Sequence, residues 1–89
     1  MTGEAKKLSE LRNQITVIAE DIHALYQEKR EEYRELLLKK GTTTNTEALD
    51  KLEDELLDCE GQMLDYRSTS DDAFILKNEL DMLLRNAKE

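Results

Sequence analysis

The sequence predicts an all-α protein: an antiparallel, coiled-coil-like helical hairpin, elongated, with further helix beyond it. Three observations carry this. The 89 residues contain no proline and only three glycines. Leucine and isoleucine recur at steps of three and four, the spacing of a coiled-coil seam. One polar cluster, Gly41-Thr42-Thr43-Thr44-Asn45-Thr46, interrupts that pattern near the middle.

The first helix is expected over about 4–40. Leu8, Leu11, Ile15, Ile18, Ile22 and Leu25 follow one another at steps of 3, 4, 3, 4 and 3, so they share one face. The next two positions of that seam are Lys29 and Glu32, both charged. The apolar stripe instead continues through Tyr26, Tyr33 and Leu37, an eleven-residue period that would straighten or reverse the supercoil locally. Lys39 and Lys40 suit a helix C-terminus, and Gly41 suits the left-handed residue that often follows one. The turn is expected at 41–46. Thr44 with Glu47 three residues later reads as a capping box for a second helix.

That second helix is expected over about 47–67, with a seam of Leu49, Leu52, Leu56, Cys59, Met63 and Tyr66. Another seam follows at Ala73, Leu76, Leu80, Leu83 and Ala87, out of phase with the first: extending the earlier one leads through Ser70, Ala73 and Lys77. The discontinuity falls on Ser68-Thr69-Ser70-Asp71-Asp72, good material for a helix start. The preferred reading is a third helix over about 70–88; the alternative is one continuous helix with a bend. Leu57, Leu64, Phe74, Ile75, Met82 and Leu84 lie beside these seams. They widen the apolar face beyond what two helices cover. A three-helix arrangement, or a hairpin that dimerises into a four-helix bundle, would cover them.

Composition narrows function. Charged residues make up 38% of the chain, and the longest apolar run is Ala73–Leu76, so no membrane contact is expected. The N-terminal residues lead into an amphipathic pattern, and one cysteine precludes an intrachain disulfide. A non-secreted, cytoplasmic protein in a reducing compartment is therefore expected. Residues 1–40 balance eight acids with eight bases, whereas residues 41–89 hold thirteen acids and five bases. That excess of acid argues against direct nucleic-acid binding.

Catalytic chemistry finds no anchor. Glu20 and His23 have the Glu-x-x-His spacing of di-iron bundles, but with Ile18 and Ile22 in the seam they point outward. Cys59 sits in a seam as a small hydrophobe, and the flanking Asp58 and Glu60 would raise its pKa. There is no phosphate loop, since Gly3, Gly41 and Gly61 are scattered. The expectation is no enzyme activity, no metal and no cofactor.

Two surfaces could meet a partner. Glu47, Asp50, Asp54, Asp58, Asp65 and Asp72 line one outward face of the second helix, suited to a basic partner or to solubility alone. Tyr26 and Tyr33 beside Lys29 and Glu32 could form a groove. In general style the chain resembles small acidic helical proteins such as phage scaffolding and inhibitor proteins and secretion-system chaperones. No residue motif ties it to any one of them. The leading expectation is a non-enzymatic protein-binding module, a coiled-coil scaffold, adaptor or assembly chaperone. It would act through apolar helix faces, as a homo-oligomer (a dimer first) or in a hetero coiled coil. The alternative is a small acidic inhibitor, phage-type in style, blocking the basic nucleic-acid-binding surface of a target protein.

Overall fold

The computed structural model describes residues 3–87. Two long helices, α1 (Gly3–Thr42) and α2 (Thr46–Ala87), pack against each other as an antiparallel hairpin. The molecule is a rod of 67 × 14 × 13 Å. Its radius of gyration is 19.8 Å, where a compact chain of this length would have about 12 Å. A 42-residue helix at 1.5 Å per residue is ~63 Å long, so each helix runs the full length of the rod. No helix among the described residues is long and apolar enough to cross a membrane.

The third helix expected over 70–88 is not there. Residues 46–87 form one unbroken helix through Ser68–Asp72; Lys88 lies outside the described residues. Serine and threonine cost a helix interior only a few tenths of a kcal/mol each, and no glycine or proline adds to that penalty here. The Thr69 hydroxyl donates to the Asp65 carbonyl at 2.9 Å, bonding back within the helix instead of capping a new one. Ser70 is buried, 2% exposed, against the opposite helix. Tertiary packing outweighs the local preference for a break.

The turn also differs from expectation. Gly41 stays helical with no left-handed backbone, and α1 ends on threonines. The Thr43 hydroxyl donates to the Lys39 carbonyl at 2.6 Å and the Thr42 hydroxyl to the same carbonyl at 3.2 Å. These occupy an acceptor that a helix end leaves without an amide. The connection is three residues, Thr43–Asn45, and the cap of α2 is Asn45, not Thr44. Its Oδ1 accepts from the Glu47 amide at 2.9 Å and the Ala48 amide at 3.3 Å, and its carbonyl accepts from the Leu49 amide at 2.9 Å. Asparagine outranks threonine as an N-cap. Asn45→Ala should therefore lower stability by about 1 kcal/mol, and Thr44→Ala by much less. Urea unfolding followed by far-ultraviolet circular dichroism would separate the two.

The two helices meet along a single heptad seam that never changes phase. On α1 it runs Ala5, Leu8, Arg12, Ile15, Ala19, Ile22, Tyr26, Lys29, Tyr33, Leu36; each is buried or half-buried. On α2 it runs Leu49, Leu52, Leu56, Cys59, Met63, Tyr66, Ser70, Ala73, Lys77, Leu80, Leu84, Ala87, again all buried or half-buried. Steps of three and four alternate throughout. The eleven-residue shift expected around Tyr26–Leu37 is absent: Leu36 takes the seam position and Leu37 is exposed. The register is tied by Arg12–Asp81 at 3.5 Å, by Lys40–Glu53 at 3.6 Å, and by the Cys59 thiol donating to the Lys29 carbonyl at 3.4 Å.

Candidate protein-docking faces

The rod has two unlike halves. In the half nearer the turn, leucines, tyrosines, Cys59 and Met63 fill the seam, with Lys29 as the one charged member. In the open half, carrying the start of α1 and the end of α2, small or charged residues alternate in the seam with Leu8, Ile15, Ile22, Leu80 and Leu84. Ala19 is completely buried, Ser70 and Ala73 nearly so, and small side chains let the helix backbones approach. Arg12 and Lys77 also occupy seam positions. Both reach the same carboxylate, Asp81, at 3.5 Å and 3.4 Å. Their stems cover the seam while their charges escape to its edge. The Arg12 Nε is buried without a hydrogen-bond partner.

This arrangement displaces the larger apolar residues of the open half. Of the residues read as helix–helix contacts, Leu8, Ile15, Ile22, Leu49, Leu52, Leu56, Cys59, Met63, Tyr66 and Leu80 line the inter-helix seam. Leu11, Ile18, Leu25, Leu76 and Leu83 do not: they are 42–51% exposed. Each stands one residue before a seam position, which puts all five on the same flank of the hairpin. There Leu11, Ile15 and Ile18 of α1 and Leu76 and Leu80 of α2, with Gln14, line a shallow apolar hollow between the helices. No charged side chain lines it.

Farther along the same flank, toward the turn, the lining becomes charged: Lys29, Glu32, Glu55 and Asp58 surround the next hollow, with Cys59 at its base. Lys29 reaches Glu32 at 3.1 Å, and that hydrogen bond raises the Lys29 pKa. Burial pushes the Cys59 thiol up, the Glu32 carboxylate adds to this, and Lys29 opposes it. The expected Asp58 and Glu60 are not the cause. A buried thiol held in its neutral form is a poor nucleophile.

Tyr26 and Tyr33 are half-buried in the seam, so most of each ring already has a neighbour within the hairpin. Glu20 and His23 lie outward and exposed, with His23 beside Gln27 at 3.2 Å and tilted against the Tyr26 ring. Among the described residues, no group of three or more His, Cys, Asp or Glu side chains is placed to hold a metal ion.

Glu47, Asp50, Asp54, Asp58, Asp65 and Asp72 are all exposed. Among the described residues, none of the six has a basic partner within ion-pair distance, whereas neighbouring Glu53 reaches Lys40. The acidic face is thus left uncompensated by the chain itself.

Sequence reasoning missed Ala5, Arg12, Ala19, Ser70 and Lys77 as seam residues, because small and charged side chains do not register as apolar anchors; it also passed over Leu36 and put Leu84 beside the seam, because the expected phase shifts moved the seam to Leu37 and Leu83. One signal was present: the first α2 seam, continued without a shift, leads through Ser70, Ala73 and Lys77.

No known protein family matches the sequence, and neither curated proteins nor solved structures include a significant match.

Proposed function

We propose that the chain is a non-enzymatic protein-binding module, a coiled-coil scaffold, adaptor or assembly chaperone, that works through apolar helix faces. One observation carries this reading. The open half keeps Leu11, Ile18, Leu25, Leu76 and Leu83 out of its own seam and aligned on one flank. Aligned apolar side chains beside a completed seam are what a further helix packs against. The end of α2 supports this from other directions, since Phe74, Ile75 and Met82 are also exposed there. Exposed apolar side chains on more than one face of a helix are covered when further helices pack around it. A homo-oligomer or hetero coiled coil would supply them, and the lone free thiol of Cys59 suits a reducing, cytoplasmic compartment.

The unpaired acidic row favours a second reading, an inhibitor that occupies the basic nucleic-acid-binding surface of a target. A photo-crosslinking amino acid placed at Leu76 or at Asp54 in the native cell separates the two. The docking reading expects protein adducts at Leu76 that disappear with Ile18→Glu and survive Asp54→Lys, Asp58→Lys and Asp65→Lys together. Adducts confined to position 54 and abolished by Asp58→Lys and Asp65→Lys together would establish the inhibitor reading in its place.

A further inference from the structure

Resting on the docking reading, we propose that the occupant of the apolar hollow is a second copy of this chain. The two copies would be related by a two-fold axis across the rod and would overlap along their open halves only. Three features of the molecule lead there.

The first is area. The chain exposes 6781 Å², where a compact protein of its mass would expose about 5,400 Å². The difference, ~1,400 Å², is larger than the ~800 Å² that each partner contributes to a standard interface. Among the described residues, the buried hydrophobics are Ala5, Ala19, Leu56, Cys59, Ala73 and Leu84. Three of these six are alanines, so a hairpin alone gains little from burial.

The second is self-complementarity. An interface between identical chains places the same patch on both sides of a two-fold axis. A charged patch would then meet its own sign. The hollow lined by Leu11, Ile15, Ile18, Leu76 and Leu80 escapes that penalty, because Gln14 is its one polar neighbour. Four helices would then surround it, with Leu76 and Ile18 serving as core positions of a bundle.

The third is where the charge lies. Residues 47–60 of α2, next to the turn, contain seven acids and one base, Lys51. Full side-by-side overlap with both turns at one end would bring these segments, and the charged hollow around Glu32 and Glu55, against their counterparts. Overlap of the open halves about a two-fold axis sends the two acidic ends in opposite directions. The result is a rod with a four-helix centre and two-helix arms.

Sedimentation equilibrium and small-angle X-ray scattering on the full chain test this. The expected mass is twice 10.4 kDa, and the expected maximum dimension is about 100 Å, half a rod length more than one 67 Å rod. Ile18→Glu and Leu76→Glu should each weaken self-association at least ~100-fold, because the carboxylate would enter an apolar contact. Helicity should be kept. Leu57→Glu, exposed on the outer face, should leave the dimer intact. Should a glutamate variant lose helicity, Leu76→Ser, which adds no charge, must still weaken the dimer.

A wild-type chain that stays monomeric would overturn the proposal. So would a dimer indifferent to both hollow substitutions, or one only ~70 Å long, the length of a single rod. A monomer whose Leu76 still crosslinks to another protein in the cell would overturn the dimer and leave the docking reading standing.

Discussion

Ala19→Leu is expected to destabilise the hairpin by about 2–3 kcal/mol, near the upper end for overpacking a filled site. Ala19 has no exposed surface. The Arg12–Asp81 pair fixes the register, and one heptad further along it brings Ala19 to the Ala73–Phe74 step of α2, where Ala73 is itself buried. A leucine there adds three carbon atoms between backbones that are close because both residues are small. The helices must separate, and separation loosens the neighbouring Ile22 and Ser70 contacts as well. Leucine is only slightly poorer a helix former than the alanine it replaces, so a loss of this size would report packing and not propensity. Chemical denaturation should show the midpoint falling with little change in slope. A leucine at the adjacent exposed position, Ile18→Leu, serves as a control in monomeric protein and should be nearly silent, because that side chain faces out of the hairpin.

The contrast between Ala19 and Ile18 also explains what the sequence discloses. Two helices, their antiparallel pairing and the elongated shape follow from 3-4 periodicity, absence of proline and one polar cluster. Those features dominate because helix formation and gross patterning are local. In the turn half the α2 seam is equally plain, since Leu49, Leu52, Leu56, Cys59, Met63 and Tyr66 are both apolar and inward. In the open half hydrophobicity and inwardness part company. Leu11, Ile18 and Leu76 are the more apolar residues, yet Arg12, Ala19 and Lys77 face the other helix. Reading apolar residues as inward there produces a false phase change and, with it, a false helix boundary at Ser68–Asp72. The phase is decided by a non-local condition: one straight helix must keep a single register against its partner along the whole 67 Å rod. Positions that break the hydrophobic rule without a local reason often mark function. Here the residues displaced by that condition form the candidate docking flank. The acidic row on α2 was legible for the opposite reason, because outward charge needs no knowledge of the partner helix.

Leu56→Ala should cost about 2–4 kcal/mol, within the usual range for a buried leucine. Leu56 is the largest buried side chain in the turn half, 7% exposed, and sits one seam step from Cys59. A protein of this size has a total stability of about 4–13 kcal/mol, and a hairpin with so few buried side chains falls toward the lower figure. One truncation would therefore remove a large share of it. The loss separates hairpin stability from assembly. If the open halves dimerise, the unfolding midpoint of the wild-type chain rises with protein concentration, since anything that binds only the folded state stabilises it by mass action. Leu56 lies in the other half, so Leu56→Ala should lower the midpoint at every concentration while preserving that rise. Leu76→Glu should do the reverse: little change at the lowest concentrations, and no rise at higher ones. Because the two sites are far apart, their effects should add in the double variant to within ~0.5 kcal/mol. Thermal unfolding followed over a hundredfold range of concentration would check both trends. Equal concentration dependence in the two variants would place the dimer contact somewhere other than the flank of Leu11, Ile18 and Leu76.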